Sequence, residues 1–339
     1  MMQPLSDTFD IAKSCELTRR SLLSGATAAA AGMLIFPSCA MARDTITLRD
    51  LILQPVLRRF YSLPPQGRYA PSGLAGYNID HFRLVELQGM GERWIRHWVV
   101  TGREEWRAFG WKMLDIGLSY QRRDGGFDHG YFHSNSILLE AVALSCLLDP
   151  AGATSTRLDA LKRGCDWMLA PVNLEKGKSQ NAPYTHRRYL LAQMFAEASA
   201  AIGDGRYDGV AADFASDGMS LQQSDGCNPE MGGGDVSYQM AGVFCAIHYY
   251  CVGASDTMQK RLRQMMTRAI AWELQHISPK GVVSMAGSTR VGKEHVFGQL
   301  KLADLPTIFQ TLAFANAIMP NPTWLQAAKA VATNDRLPI

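Results

Sequence analysis

Two kinds of helical segment alternate along this chain, and the alternation leaves few folds open. Residues 136–148 and 236–251 are apolar on nearly every face. Residues 103–122 and 257–276 are apolar along one side only; in the first of these Trp106, Phe109, Met113, Ile116 and Tyr120 recur at three- and four-residue steps. A helix that is apolar all round must be buried on all sides, whereas a one-sided helix covers it from outside. The connections also alternate, long then short. Helices joined by short turns pack antiparallel, so every long loop leaves from the same end.

The loops repeat as well. QRRDGGFDHGYFHSN begins at Gln121 and is echoed by QQSDGCNPEMGGGDVSYQ from Gln222. In each, a one-sided helix ends on Gln, an Asp-Gly turn follows, and a Gly-rich polar loop leads into an apolar helix. Shorter versions surround Lys176-Gly177 and Lys280-Gly281, giving a period of roughly fifty residues, one helical hairpin plus one long loop. Further helices are expected over 45–63, 79–101, 188–202, 207–223, 302–317 and 324–332, with loops over 64–78 and 171–185. The expected fold is therefore all-α: an (α/α) toroid of about five to six hairpins and eleven helices, inner helices lining a ring and outer ones cladding it. An open solenoid is the alternative. It would need polar end caps, and no terminal helix is obviously polar.

The chain has 339 residues, 47% of them hydrophobic, enough for a large core. A net charge of +3 argues against nucleic acid or an anionic membrane as partner. At the N-terminus, Thr18-Arg19-Arg20-Ser21-Leu22-Leu23 matches the twin-arginine pattern, and residues 25–37 form a small-residue apolar run ending before Ala40-Met41-Ala42, an A-x-A cleavage site. That run is short of the ~20 residues a membrane span needs. A signal peptide over 1–42 is expected, with a single toroid domain over 43–339 and no membrane span in the mature chain. The twin-arginine translocase is then the export partner and the periplasm the destination. Five cysteines remain beyond the signal, an odd number without paired spacing, so neither a disulfide framework nor a zinc site is expected. No run of ligands argues for a metal or other cofactor; residues 225–235 form the one acidic loop with calcium-type oxygens.

Histidines gather on the long-loop face. His129, His133, His186 and His295 fall on long loops or in the first turn after one. Asp128, Asn135, Tyr184, Arg187, Tyr189, Glu230, Asp235, Tyr238, Gln239 and Arg290 share that face. Aromatic rings stack on sugars and guanidinium groups hold carboxylates, so the mixture suits a polysaccharide, acidic or neutral, bound in a concave site. Single residues also have plainer readings. Asp124-Gly125 and Asp225-Gly226 are turn formers, Asp235 and Asn135 are candidate N-caps, Tyr238 can simply pack, and Gln121 and Gln222 can bond within the hairpin stack.

QRRDGGF resembles the Q-x-x-D-G-G-F repeat of terpenoid-cyclase and prenyltransferase toroids, but the chain has no D-x-D-D acid motif. DGCNPEMGGGDVSYQ, followed by an apolar Tyr-rich helix, is more similar to the loop-plus-inner-helix segments of toroid polysaccharide lyases: the alginate-lyase, chondroitin-lyase and heparinase-like enzymes. Asn135, His186 and Tyr238 lie about fifty residues apart, similar to the way such lyases draw Asn, His and Tyr from successive inner helices. The Asn-Asn-His run of alginate lyases is absent. The resemblance implies β-elimination on a uronic-acid-containing glycan. Asn135 and Arg187 would neutralise the carboxylate, His186 or Tyr238 would take the C5 proton, with Arg187 or Arg188 lowering the Tyr238 pKa if it is the base, and Tyr238 would donate to the leaving O4. Two rivals stand beside it. One is an inverting glycoside hydrolase drawing its carboxylate pair from Asp128, Glu230 and Asp235. The other is a non-catalytic periplasmic protein that binds exopolysaccharide.

Overall fold

The computed structural model describes residues 46–65, 81–127, 131–296, 299–335 and 337. The expected signal peptide and the loop expected over 64–78 lie outside them, apart from residues 64 and 65. From Thr45 onward the chain forms one compact unit. Among the described residues no helix is long and apolar enough to cross a membrane.

The fold is an (α/α) toroid. Five hairpins pair an inner with an outer helix: α4 (Gly91–Thr101) with α5 (Glu104–Ser119), α6 (Phe132–Leu148) with α7 (Ser155–Leu169), and α9 (Thr185–Ile202) with α10 (Asp208–Ser220). The last two are α11 (Val236–Val252) with α12 (Asp256–Leu274), and α13 (Leu305–Ile318) with α14 (Pro322–Asn334). Neighbouring inner helices pack in the order α4, α6, α9, α11, α13. The ring is completed by α1 (Leu48–Ile52), which packs on α11 and α13, and α2 (Pro55–Ser62), which bridges α13 and α4. That bridge excludes the open solenoid. Inner helices α6, α9, α11 and α13 are buried on most faces, and α5, α7, α10, α12 and α14 along one side, as the apolar patterning required.

Three expected elements differ. The single helix over 45–63 is two, because Pro55 lacks the N–H that a continuous helix would use and starts α2 instead, while Thr47 caps α1 with a capping box. The helix over 79–101 is divided at residues 89–90 into α3 (His81–Gln88) and α4. Gly91 there lies so close to α5 that a Cβ would come within 2.5 Å of the Gly110 carbonyl. The loop over 171–185 carries α8 (Pro171–Asn181), whose polar sequence shows no apolar stripe. Gly177 of α8 rests on the Phe132 ring, so this fourth loop motif is a helix rather than a turn.

The other three loop motifs share one geometry. Gly125 and Gly226 have φ of +93° and +97°, and each lies against a backbone carbonyl of the following outer helix, Arg163 and Arg268. Gly281, at φ +81°, abuts the Ala330 carbonyl in the same manner. Gln121 Nε2 donates to the carbonyls of Gly125 (3.0 Å) and Ala160 (2.8 Å), and Gln222 Nε2 to those of Gly226 (3.1 Å) and Met265 (3.0 Å). Each glutamine thus ties its turn to the next outer helix. A Cβ on Gly226 would lie 2.2 Å from the Arg268 carbonyl oxygen, so Gly226→Ala must shift backbone as well as hold a left-handed φ. We expect it to cost about 2–4 kcal/mol, read as a lower midpoint in urea unfolding.

Candidate active site

All long connections emerge at the N-terminal ends of the inner helices, so those ends form one mouth. There α6 presents His133 and Asn135, α9 presents His186 and Arg187, and α11 presents Tyr238. The His133 and His186 rings lie 6.2 Å apart, and the His186 and Tyr238 rings 4.3 Å apart. Gly242 allows this approach, because a Cβ there would already meet Tyr189 and the His186 Cα at 3.3 and 3.4 Å.

His186 is held from behind. Its Nδ1 lies 2.8 Å from Glu230 Oε2, and Glu230 Oε1 accepts from Arg290 Nη1 at 3.0 Å. A carboxylate so placed accepts, so the imidazole proton sits on Nδ1 and the Nε2 lone pair is left as a base. Burial holds the His186 pKa below the ordinary imidazole value, against the pull of Glu230. The ring is therefore neutral at neutral pH. His133 is pushed further down, first by burial and then by the charge of Arg187.

Tyr238 has the opposite bias. Burial raises its pKa, partly offset by Arg290, so the phenol keeps its proton. The Arg290 guanidinium lies 4.2 Å from the ring centroid and Lys301 Nζ contacts the hydroxyl. Glu294 pairs with Arg290 at 3.0 Å and lies 3.6 Å from Lys301. The cations at Tyr238 are thus Arg290 and Lys301, not Arg187 or Arg188. Arg188 turns to Asp217 on α10, at 2.6 Å. Arg187 lies over the Tyr184 ring (3.9 Å) and donates from Nη1 to Tyr131 and Asn181.

Several of these groups have unpaired polar atoms. Arg187 Nε, Asn135 Nδ2 and His133 Nδ1 are buried without a hydrogen-bond partner among the described residues. Buried polar groups are nearly always satisfied. Arg187 Nε and Asn135 Nδ2 are donors, and an anionic ligand would complete them.

Other expected site residues fall elsewhere. Tyr189 is fully buried against Gly218 of α10 and Gly242 of α11, too deep to touch a ligand. Gln239 is fully buried, accepting from Asn228 N and donating to the carbonyls of Gly226 and Ala269, so it pins the loop. Asp235 caps α11 through Ser237 N and Tyr238 N and accepts from Arg290 N and Val291 N, which leaves no face for substrate. With Glu230 paired to both His186 and Arg290, two of the three carboxylates expected as candidates for hydrolysis are held in structural contacts. Since Asp235 is buried and Asp225 caps its own turn at Cys227 N, the calcium-type loop does not gather its oxygens. His295 stands exposed on a two-residue strand, 295–296, paired with 299–300. Asp128 and His129 lie outside the described residues.

Two groups that the sequence reading passed over belong to the mouth. Lys301 falls just before the helix expected over 302–317, where spacing suggests no partner, and it meets Tyr238 only through the tertiary fold. Glu86 of α3 accepts from Ser134 Oγ at 3.2 Å, and burial raises its pKa. It lies three residues before Gly89, half a turn from Leu84 in a segment whose patterning reads simply as core.

A ring of helices with a polar mouth built from alternate loops defines the α/α-toroid class. Among solved structures, the unsaturated glucuronyl hydrolase from Bacillus sp. GL1, responsible for the degradation of glycosaminoglycan, is similar over 74% of this chain and 73% of its own, with TM-score 0.54 and 15% identity. A UGL variant with dGlcA-Glc-Rha-Glc is similar over the same shares, with TM-score 0.53 and 14% identity. At such identity the likeness establishes the fold. Comparison with protein-family models and with curated proteins finds no match.

Proposed function

We propose that this chain is an exported carbohydrate-active enzyme that cleaves a uronic-acid-containing glycan by β-elimination at the toroid mouth. The observation that carries the reading is the pairing of a neutral imidazole, oriented by Glu230, with a protonated phenol, their rings 4.3 Å apart. His186 Nε2 takes the C5 proton, the C–H electrons form the C4–C5 double bond, and the C4–O4 bond breaks. Tyr238 delivers its proton to the departing O4 and regains one from solvent. The carboxylate that acidifies C5 carries growing charge in the transition state. The orphaned donors of Arg187 and Asn135 are the groups available to meet it.

Incubation with a panel of uronic-acid polymers should therefore yield a product with the ultraviolet absorbance of an unsaturated uronide. No absorbance with any polymer would overturn the reading. Because the base is depressed and the acid raised, the sign of the pH dependence is fixed. Activity falls on the acid side only below the usual imidazole value of about 6.5, and on the alkaline side only above the usual phenol value of about 10. A pH–kcat/KM profile reads both limbs.

Glu86 supports a second reading. Burial raises the pKa of its carboxyl, the direction that suits a general acid, and one of the similar solved structures is a hydrolase by name. Glu86→Gln separates the two: it should leave elimination within about tenfold, whereas hydrolysis depending on Glu86 would fall by about 10²–10⁴. Export through the twin-arginine route is part of the proposal, resting on Arg19-Arg20 and the A-x-A site. Replacing Arg19 and Arg20 together by Lys should leave the uncleaved precursor inside the cell, as fractionation and immunoblotting would reveal.

A further inference from the structure

Well below the mouth, three inner helices meet at a polar cluster that the proposed elimination does not use. It consists of Glu140 on α6, Gln193 and Glu197 on α9, and His248 on α11, each at most 9% exposed. Glu197 is eleven residues beyond His186 on the same helix, about 16 Å along its axis. The cluster is therefore separate from the mouth.

Its hydrogen bonds do not close. Gln193 Nε2 has two hydrogens but lies 2.6 Å from Glu140 Oε1, 3.0 Å from Glu197 Oε1 and 3.0 Å from His248 Nδ1. His248 Nδ1 is itself 3.0 Å from Glu197 Oε1. If that nitrogen donates to Glu197 it cannot also accept from Gln193. Glu197 Oε2, on a fully buried residue, has no partner at all among the described residues. Nor does the nearby guanidinium settle the charge, because Arg96 pairs with Glu92 at 2.6 Å. Two carboxyl groups and an imidazole thus converge in the buried interior.

We infer that Glu140, Glu197 and His248, completed by the Gln193 amide oxygen, form a binding site for one first-row divalent cation that staples α6, α9 and α11 together. The donor atoms of Glu140, Glu197 and His248 all lie within 4.8 Å of one another, which a single ion spans with ligand distances of about 2.0–2.4 Å. Turning the Gln193 amide by half a rotation presents Oε1 in place of Nε2 with no other movement. Three oxygens and one imidazole nitrogen then face one point, a set suited to Mn2+ or Zn2+. A +2 ion also balances the charge of Glu140 and Glu197 once they release their protons to bind it, Arg96 and Glu92 already neutralising each other. The Phe244 ring lies against His248 at 4.6 Å and separates the cluster from a cavity of about 400 Å³ that reaches Arg96.

The test uses protein purified from cells expressing the full chain, stripped with EDTA, and then dialysed separately against Mn2+ and Zn2+. Elemental analysis after removal of free metal should find one equivalent of at least one of them per chain. Binding should raise the unfolding temperature by about 5 °C. Glu197→Gln and His248→Gln keep nearly the same volume and should weaken binding by more than about 100-fold, beyond the loss typical of outer-sphere partners. With Mn2+, spin-echo spectra should carry a nitrogen modulation that His248→Gln removes. The inference is overturned if stripped wild-type protein takes up neither metal, or if both variants retain a full equivalent. Should a variant fail to fold, the uptake, the thermal shift and the nitrogen modulation of the wild-type protein still decide the matter.

Discussion

His186→Gln should lower the rate of unsaturated-product formation by about 10²–10⁴-fold. No neighbour can substitute for it. His133 is pushed further below the ordinary imidazole value than His186, and Glu230 is held by Arg290 on its far oxygen. The glutamine amide can still donate to Glu230, so the buried ion pair behind it stays satisfied and the toroid should unfold at nearly the wild-type temperature. The effect should lie in kcat, since the ring meets the C5 proton and not the carboxylate. In the smaller His186→Gly variant, added imidazole should restore part of the rate. Loss of activity through misfolding would show no such rescue.

Tyr238→Phe should cost a similar about 10²–10⁴-fold with natural glycans, because a sugar alkoxide is a poor leaving group without a proton. The substitution removes one oxygen and keeps the ring between His186 and Arg290, so packing changes little. Lys301 would lose its contact with the hydroxyl but keep Glu294 within 3.6 Å. The signature is leaving-group dependence. A uronide bearing an acidic phenol at O4 needs little help to depart, and with it the Phe variant should recover most of the wild-type rate. If the variant were equally slow with both substrates, Tyr238 would be positioning the sugar instead of protonating it.

The architecture was legible because it follows from burial. Helices apolar on all faces, such as 136–148 and 236–251, have to lie inside, and a strict alternation with one-sided helices closes into a double ring. The Gln-x-x-Asp-Gly loops were equally readable, since a left-handed glycine against a carbonyl is a local requirement. What local pattern cannot supply is the far partner. Tyr189 and Gln239 stand beside true mouth residues in sequence, yet a helix turns each onto another face, and they are buried. Asp235 reads equally as ligand or cap from spacing alone, and only the folded loop 288–291 decides for the cap. Glu86 and Lys301 reach the mouth through tertiary closure of the ring, which brings α3 beside α6 and the end of the 275–304 loop beside α11. The interior carboxyl cluster was hidden for the same reason: Glu140, Glu197 and His248 sit singly in apolar helices, about fifty residues apart. No short-range ligand spacing announces them.

The chemistry at the mouth is tested most directly by running the reaction in water enriched in heavy oxygen and weighing the products. Elimination splits the C4–O4 bond without consuming water, so the fragments should sum to the mass of the starting glycan and carry no heavy oxygen. Incorporation of one heavy oxygen per cleavage, with no double bond formed, would contradict the account and assign the mouth to hydrolysis.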